Sequence, residues 1–179
     1  DWSVELWYLS GDEIIRPSDN IEQISIQRDP KKASVSVAWD HKLFKITYTL
    51  YGTRSTIDEV IIEVTCSVKT SAKNQNILFT VRPYNQTKLG NCEKIEYQKD
   101  SKLLKINGLK KIFVNKEPGF ICIGNAESED LQTEYDENTF SISCKYGLAS
   151  LALGYRLSKK NDDLYFSMAL SNSEMTEGT

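Results

Sequence analysis

The stretch Ile57-Asp58-Glu59-Val60-Ile61-Ile62-Glu63-Val64-Thr65-Cys66-Ser67-Val68 decides the fold class. Val60, Ile62, Val64, Cys66 and Val68 fall on one side of an extended chain, with Glu59, Ile61, Glu63, Thr65 and Ser67 on the other. Successive side chains of a strand point to opposite faces, so a sustained period of two fits a half-buried strand. A helix would need apolar residues at spacings of three and four. Branched residues dominate the run, as a pleated surface favours.

The same period recurs outward from this segment. Ala33, Val35, Val37 and Trp39 alternate with polar residues, and after Asp40-His41 the run Leu43 to Tyr51 places Phe44, Ile46, Tyr48 and Leu50 on one face, so the two read as a hairpin. Val4 to Leu9 is a first strand, turned by Ser10-Gly11-Asp12. Ile21 to Gln27 is a second, stopped by Asp29-Pro30. Downstream, Ile77 to Val81 ends in Arg82-Pro83-Tyr84-Asn85, where proline removes a ladder donor. Short strands follow at Lys94 to Tyr97, Leu103 to Ile106, Lys111 to Val114 and Phe120 to Ile123, with Asn107-Gly108 as a hairpin turn. Phe140 to Lys145, Ser150 to Leu157 and Leu164 to Leu170 complete the series, with turns at Tyr146-Gly147 and from Lys159 to Asp163. Ala126 to Gln132 reads either as a short helix or as a solvated acidic loop.

About a dozen strands exceed the seven to nine of an immunoglobulin-type domain, and two large packed sheets are the usual way to manage so many edges. The expected fold is therefore all-β, a large two-sheet antiparallel β-sandwich. A single domain should occupy residues 1–170, with 171–179 a polar tail or the start of a linker. Asp1 leads straight into strand sequence, so the chain reads as a domain excised from a longer protein.

Composition narrows the function classes. The 179 residues are 40% apolar and 26% charged, ordinary for a globular chain, which excludes disorder and collagen. A net charge of −3 supplies no general attraction for nucleic acid or anionic lipid, and no apolar run approaches the ~20 residues of a spanning helix, so neither nucleic acid nor membrane is expected as a partner. A cytoplasmic location is expected. Cys66, Cys92, Cys122 and Cys144 are far apart with no C-x-x-C pair, so no metal is expected. Cys66 and Cys144 share parity with apolar neighbours and read as core residues; an even count also permits two disulfides without specifying a pairing. Asn85-Gln86-Thr87 is a glycosylation sequon too short to establish secretion.

Reactive constellations are sparse. The single histidine, His41, sits at a hairpin tip and cannot build a multi-histidine metal site, and nothing resembles a nucleophile elbow. The nine glycines are scattered at turns, which argues against a phosphate-cradling loop and against a nucleotide cofactor. Asp12-Glu13, Asp58-Glu59, Glu127 with Glu129 and Asp130, and Asp136-Glu137 read as solvated charges, whereas a glycosidase pair needs a cleft that raises one pKa. Aromatic residues are more suggestive, because flat faces stack on sugar rings. Trp39 falls in register with core residues yet remains a binding candidate, and Trp2, Trp7 and Tyr8 read as interface aromatics of an edge strand.

A resemblance sharpens these readings. Asn76-Ile77-Leu78-Phe79-Thr80-Val81-Arg82-Pro83-Tyr84-Asn85, then Lys94-Ile95-Glu96-Tyr97, then Leu104-Lys105-Ile106-Asn107-Gly108, resembles the N-terminal β-domain of microbial glycoside hydrolases of the glucoamylase, trehalase and glycogen-debranching type. The similarity spans residues 20 to 125 in pattern, and the Arg82-Pro83-Tyr84-Asn85 turn is its specific part; the proline usual after that Asn is Gln86 here. The resemblance implies a supersandwich of the galactose-mutarotase-like kind that packs on a C-terminal helical-barrel catalytic domain, shapes one edge of its sugar cleft and catalyses nothing alone. Arg82, Tyr84 and Asn85 join Trp7 and Trp39 as binding candidates, with carbohydrate and the missing catalytic domain as expected partners. An exposed Trp7 or Tyr84 at a self-association contact is expected of such a fragment. The alternative is a free-standing carbohydrate-binding or mutarotase-like sugar epimerase domain, whose acid–base work would draw on His41.

Overall fold

A computed structural model describes residues 2–52, 59–83, 93–106, 110–129, 131–144, 146–157 and 161–169. The described chain is nearly all strand. In order these are β1 (Trp2–Ser10), β2 (Glu13–Ile15), β3 (Ile24–Asp29), β4 (Ser34–Asp40), β5 (Phe44–Gly52), β6 (Glu59–Val68), β7 (Gln75–Pro83) and β8 (Glu93–Gln98). They continue as β9 (Leu103–Ile106), β10 (Lys110–Val114), β11 (Phe120–Glu129), β12 (Gln132–Tyr135), β13 (Thr139–Cys144), β14 (Tyr146–Arg156) and β15 (Asn161–Ala169). Between β2 and β3 lie two 3-10 turns, Pro17–Asp19 and Ile21–Gln23.

The strands form two antiparallel sheets. The smaller has the order β11-β14-β7-β1-β2, the larger β12-β13-β8-β9-β10-β15-β6-β5-β4-β3. Two meanders, β3 to β6 and β8 to β10, supply most of the larger sheet, and β15 lies between them, pairing Leu164 with Val64 on one side and Phe166 with Val114 on the other. The last described strand therefore joins the two halves.

Alternation explains the core. In the smaller sheet Leu6, Phe79, Leu153 and Ile121 form one cross-strand row, and Tyr8, Ile77 and Tyr155 another. These rows face Trp39, Ile46, Val64, Cys66, Tyr97, Leu104 and Ile112 of the larger sheet in one apolar cluster. Tyr8 and Phe44 stack across the sandwich with ring centres 3.9 Å apart. Inside this layer the Tyr8 hydroxyl donates to Gln75 Oε1 at 2.7 Å, which satisfies both buried groups.

Several expectations need correction. The segment read as helix or loop after Asn125 is strand: β11 runs on to Glu129 through an irregularity between Ile123 and Asn125 and pairs with β14, and β12 follows at once. The strand expected from Ile21 begins at Ile24, because Ile21–Gln23 closes a 3-10 turn. Asn161 to Asp163 belong to β15 rather than to a turn. Cys66 is fully buried as expected, while the Asn107-Gly108 turn and Cys92 lie outside the described residues. Among the described residues no helix is long and apolar enough to cross a membrane.

Candidate functional site

The residues singled out from sequence separate onto two sheets. Trp39 belongs to the interior, 2% exposed, edge-on to Phe44 at 4.7 Å, its indole N–H donating to Gln23 Oε1 at 3.2 Å. Trp7 and Arg82 share the β1–β7 ladder: Trp7 pairs with Leu78, and Arg82 pairs with Ser3 four residues along. Pro83 pairs with Trp2 and ends β7, as proline should, while Tyr84 and Asn85 lie outside the described residues.

Trp7 departs from expectation. Its side chain is only 1% exposed, on the face of the smaller sheet turned away from the main core, where it clusters with Leu78 and Ala152. The Arg16 guanidinium lies 4.6 Å from its ring centre, and its indole N–H donates to Glu5 Oε2 at 2.7 Å. A ring sandwiched between a cation and an aliphatic row, with its one donor satisfied, offers no free aromatic face.

His41 is equally committed to structure. Its ring stacks on Phe44 at 4.7 Å, and Nδ1 accepts the Leu43 N–H at 3.1 Å, so the imidazole is neutral with its proton on Nε2. Burial lowers its pKa from 6.5, with Lys42 and Lys69 pushing the same way against Glu13. Of the acidic candidates, Asp136 caps a turn by accepting the N–H groups of Asn138 and Thr139 at 2.8 and 2.7 Å, and those bonds lower its pKa.

The feature with chemical variety lies elsewhere. A ten-stranded sheet facing a five-stranded one must run past it at the sides. Past Trp39 the connection from β2 to β3 fills the gap, as the Gln23 bond records. Past β11 a cleft of about 350 Å³ remains, within the range of small-molecule sites. Tyr97 of β8, Tyr135 of β12 and Phe140 of β13 form one side, and the Glu117–Ile121 segment forms the other. Register explains the aromatic wall, because Tyr135 pairs with Phe140 and Phe140 with Tyr97, one row across three strands.

Polar groups surround that wall. The Tyr97 side chain is 1% exposed, and its hydroxyl has no hydrogen-bond partner among the described residues. Burial raises its pKa, and the Glu117 carboxylate adds to the effect, so the phenol stays neutral. Lys99 Nζ donates to the Tyr135 hydroxyl at 2.9 Å, and this bond foremost raises the lysine pKa. Beneath, the Tyr155 hydroxyl donates to Lys116 O at 2.9 Å and braces the approach to Glu117. Tyr135 is 67% exposed and also borders a second groove, of about 510 Å³, lined by Glu96, Glu134 and Asp136 among others.

None of these cleft residues was a candidate from sequence. Phe140 and Tyr97 carried a visible signal as apolar members of expected strands, whereas Lys99, Glu117 and Tyr135 carried none. Comparison of the chain with protein-family models and with curated proteins returns no match.

Proposed function

We propose that the chain is a β-sandwich module, of the supersandwich kind, from a larger carbohydrate-active enzyme of the glycoside hydrolase class. It packs on a helical-barrel catalytic domain and contributes sugar contacts of its own. The observation that carries this reading is the cleft beside β11, where an aromatic row meets neutral, acidic and basic hydrogen-bonding groups, the mixture that amphipathic sugar rings require. The Arg82-Pro83 end of β7, which closes a central strand beside Trp2, supports it as the start of the turn on which the family resemblance rests. We place the module in the cytoplasm as part of the same reading. A mutarotase would draw on His41, whose Nδ1 is already engaged inside the fold.

Sequencing the full reading frame tests the module. The expected result is several hundred further residues of helical periodicity with well-separated glutamates, and a full-length protein whose polysaccharide hydrolysis falls when residues 1–170 are deleted. A stop codon directly after Thr179, with no hydrolase encoded in frame, overturns it.

A further inference from the structure

We propose that the cleft beside β11 is a binding site for a neutral pyranose, packed on the Tyr135–Phe140 edge and recognised through the Tyr97 hydroxyl. The proposal rests on the carbohydrate reading above and adds the site and the ligand class. A buried hydroxyl without a partner is costly, and native structures retain few of them without a reason. Here Tyr97 lines the cleft while its unpartnered hydroxyl is all but sealed from solvent, so a ligand hydroxyl that presses in to reach it can both donate to it and accept from it.

The charges select a neutral ligand. Lys99 and Glu117 line the cleft with opposite signs, so neither a carboxylate nor an ammonium finds a one-sign field. Past Tyr135 the neighbouring groove adds Glu96, Glu134 and Asp136, which disfavours an anionic sugar further. Vicinal hydroxyls suit the pair, since a carboxylate accepts two bonds and an ammonium donates three. The exposed Tyr135 ring has Lys99 Nζ bonded to its hydroxyl and 5.0 Å from its centre, and Phe140 edge-on at 6.1 Å, which leaves its opposite face for the apolar face of a sugar.

The test titrates the 179-residue chain with methyl glucosides, galactosides and mannosides, with glucuronic acid and glucosamine as charged controls. Amide shifts of Gly119 and Ile121 are followed by NMR. At least one neutral glycoside should give saturable shifts, and Tyr97→Phe should weaken that binding about tenfold by removing one hydrogen bond. The thermal midpoint of Tyr97→Phe should stay level or rise, because the variant discards an unpartnered buried hydroxyl; a merely structural tyrosine would not separate the two readouts. Tyr135→Ala, altering an exposed side chain, should weaken binding to a similar degree in a folded protein.

Absence of saturable shifts with every neutral glycoside, shifts only with a charged control, or binding unchanged in both variants would overturn the proposal. It fails separately from the module reading. A full-length hydrolase without glycoside shifts at Gly119 keeps the module and loses the site, whereas shifts lost in Tyr97→Phe without a catalytic partner keep the site.

Discussion

Gly154→Ala tests whether the outer layer of the smaller sheet is packed as tightly as its core. Gly154 pairs with Phe120 on one side and Leu78 on the other, and the Phe120 ring lies over it. A Cβ at position 154 would run into Cζ, Cε1 and Cε2 of that ring, whereas carbon atoms in favourable contact sit ~3.5–4.0 Å apart. The glycine has no positive φ, so the backbone accepts alanine and the whole cost is steric. Phe120 is half-buried on an edge strand and must swing outward. Overpacking costs about 1–3 kcal/mol, and reduced chain entropy of the unfolded state returns about 0.4–1 kcal/mol, leaving a net destabilisation of about 1–2 kcal/mol. Phe120→Ala should cost a comparable amount, below the ~3–5 kcal/mol of a fully buried phenylalanine. In the double variant the ring is gone, so alanine fits and the second substitution becomes neutral or stabilising. Urea unfolding followed by tryptophan fluorescence measures all four corners of the cycle. Additive effects within about 0.5 kcal/mol, or a stabilised Gly154→Ala single variant, would refute the packing argument.

Three further outcomes are expected. Tyr8→Phe should cost about 1–2 kcal/mol in urea unfolding, because Gln75 Oε1 loses its buried donor while Gln75 Nε2 keeps Ser10 Oγ. Thr80→Val should hold or raise stability, by up to ~1 kcal/mol, since the Thr80 hydroxyl is buried without a partner among the described residues. His41 has a folded pKa below its unfolded 6.5, so between those values the unfolded chain binds more protons; stability present above pH 6.5 should be lost as pH falls below it. Replacing His41 with Gln should remove that slope from urea midpoints measured over about pH 5 to 7. The carboxylates of Asp40 and Asp136, lowered from 3.8 by Lys69 and by backbone donors respectively, act only at more acidic pH.

The parts of the fold legible in the sequence are those where one face is apolar and the other polar. The expected bounds of β9 match to the residue, and β7 stops at Pro83 because proline has no N–H to donate. β2 and β12 leave no such mark, for opposite reasons. Glu13-Ile14-Ile15 is too short to show a period, and Gln132-Thr133-Glu134-Tyr135 is exposed along its whole length, so no burial shaped its pattern. Trp7 and Tyr8 mislead as interface aromatics of an edge strand, because β1 lies between β7 and β2 with Tyr8 turned into the core and Trp7 under cover on the other face. Yet the whole run from Gln75 to Val81 is buried, and the uninterrupted Ile77-Leu78-Phe79 already matches a strand covered on both sides. The cleft is beyond reach of periodicity, since its aromatic row joins Tyr97, Phe140 and Tyr135 through pairings that cannot be inferred without β12.

The position of the cleft follows from strand counts rather than from any local motif. Ten strands facing five leave inner-face positions uncovered at both wings of the larger sheet, and each wing must be filled, tolerated or used. At the β3 wing the chain crosses between sheets directly overhead, with Asn20 donating to Arg16 O and Gln23 accepting from Trp39, so the gap beside the core is closed by main chain; Ile26, beyond it, stays 65% exposed. At the β12 wing the crossing from β10 to β11 passes through Pro118-Gly119, where the Gly119 N–H is held by Gly154 O at 2.8 Å. That bond ties the crossing to the smaller sheet and keeps it from folding down over Tyr97. One wing is thus sealed and the other held open over an aromatic row, and only the open one combines a buried hydroxyl in need of a partner with room for the group that would supply it.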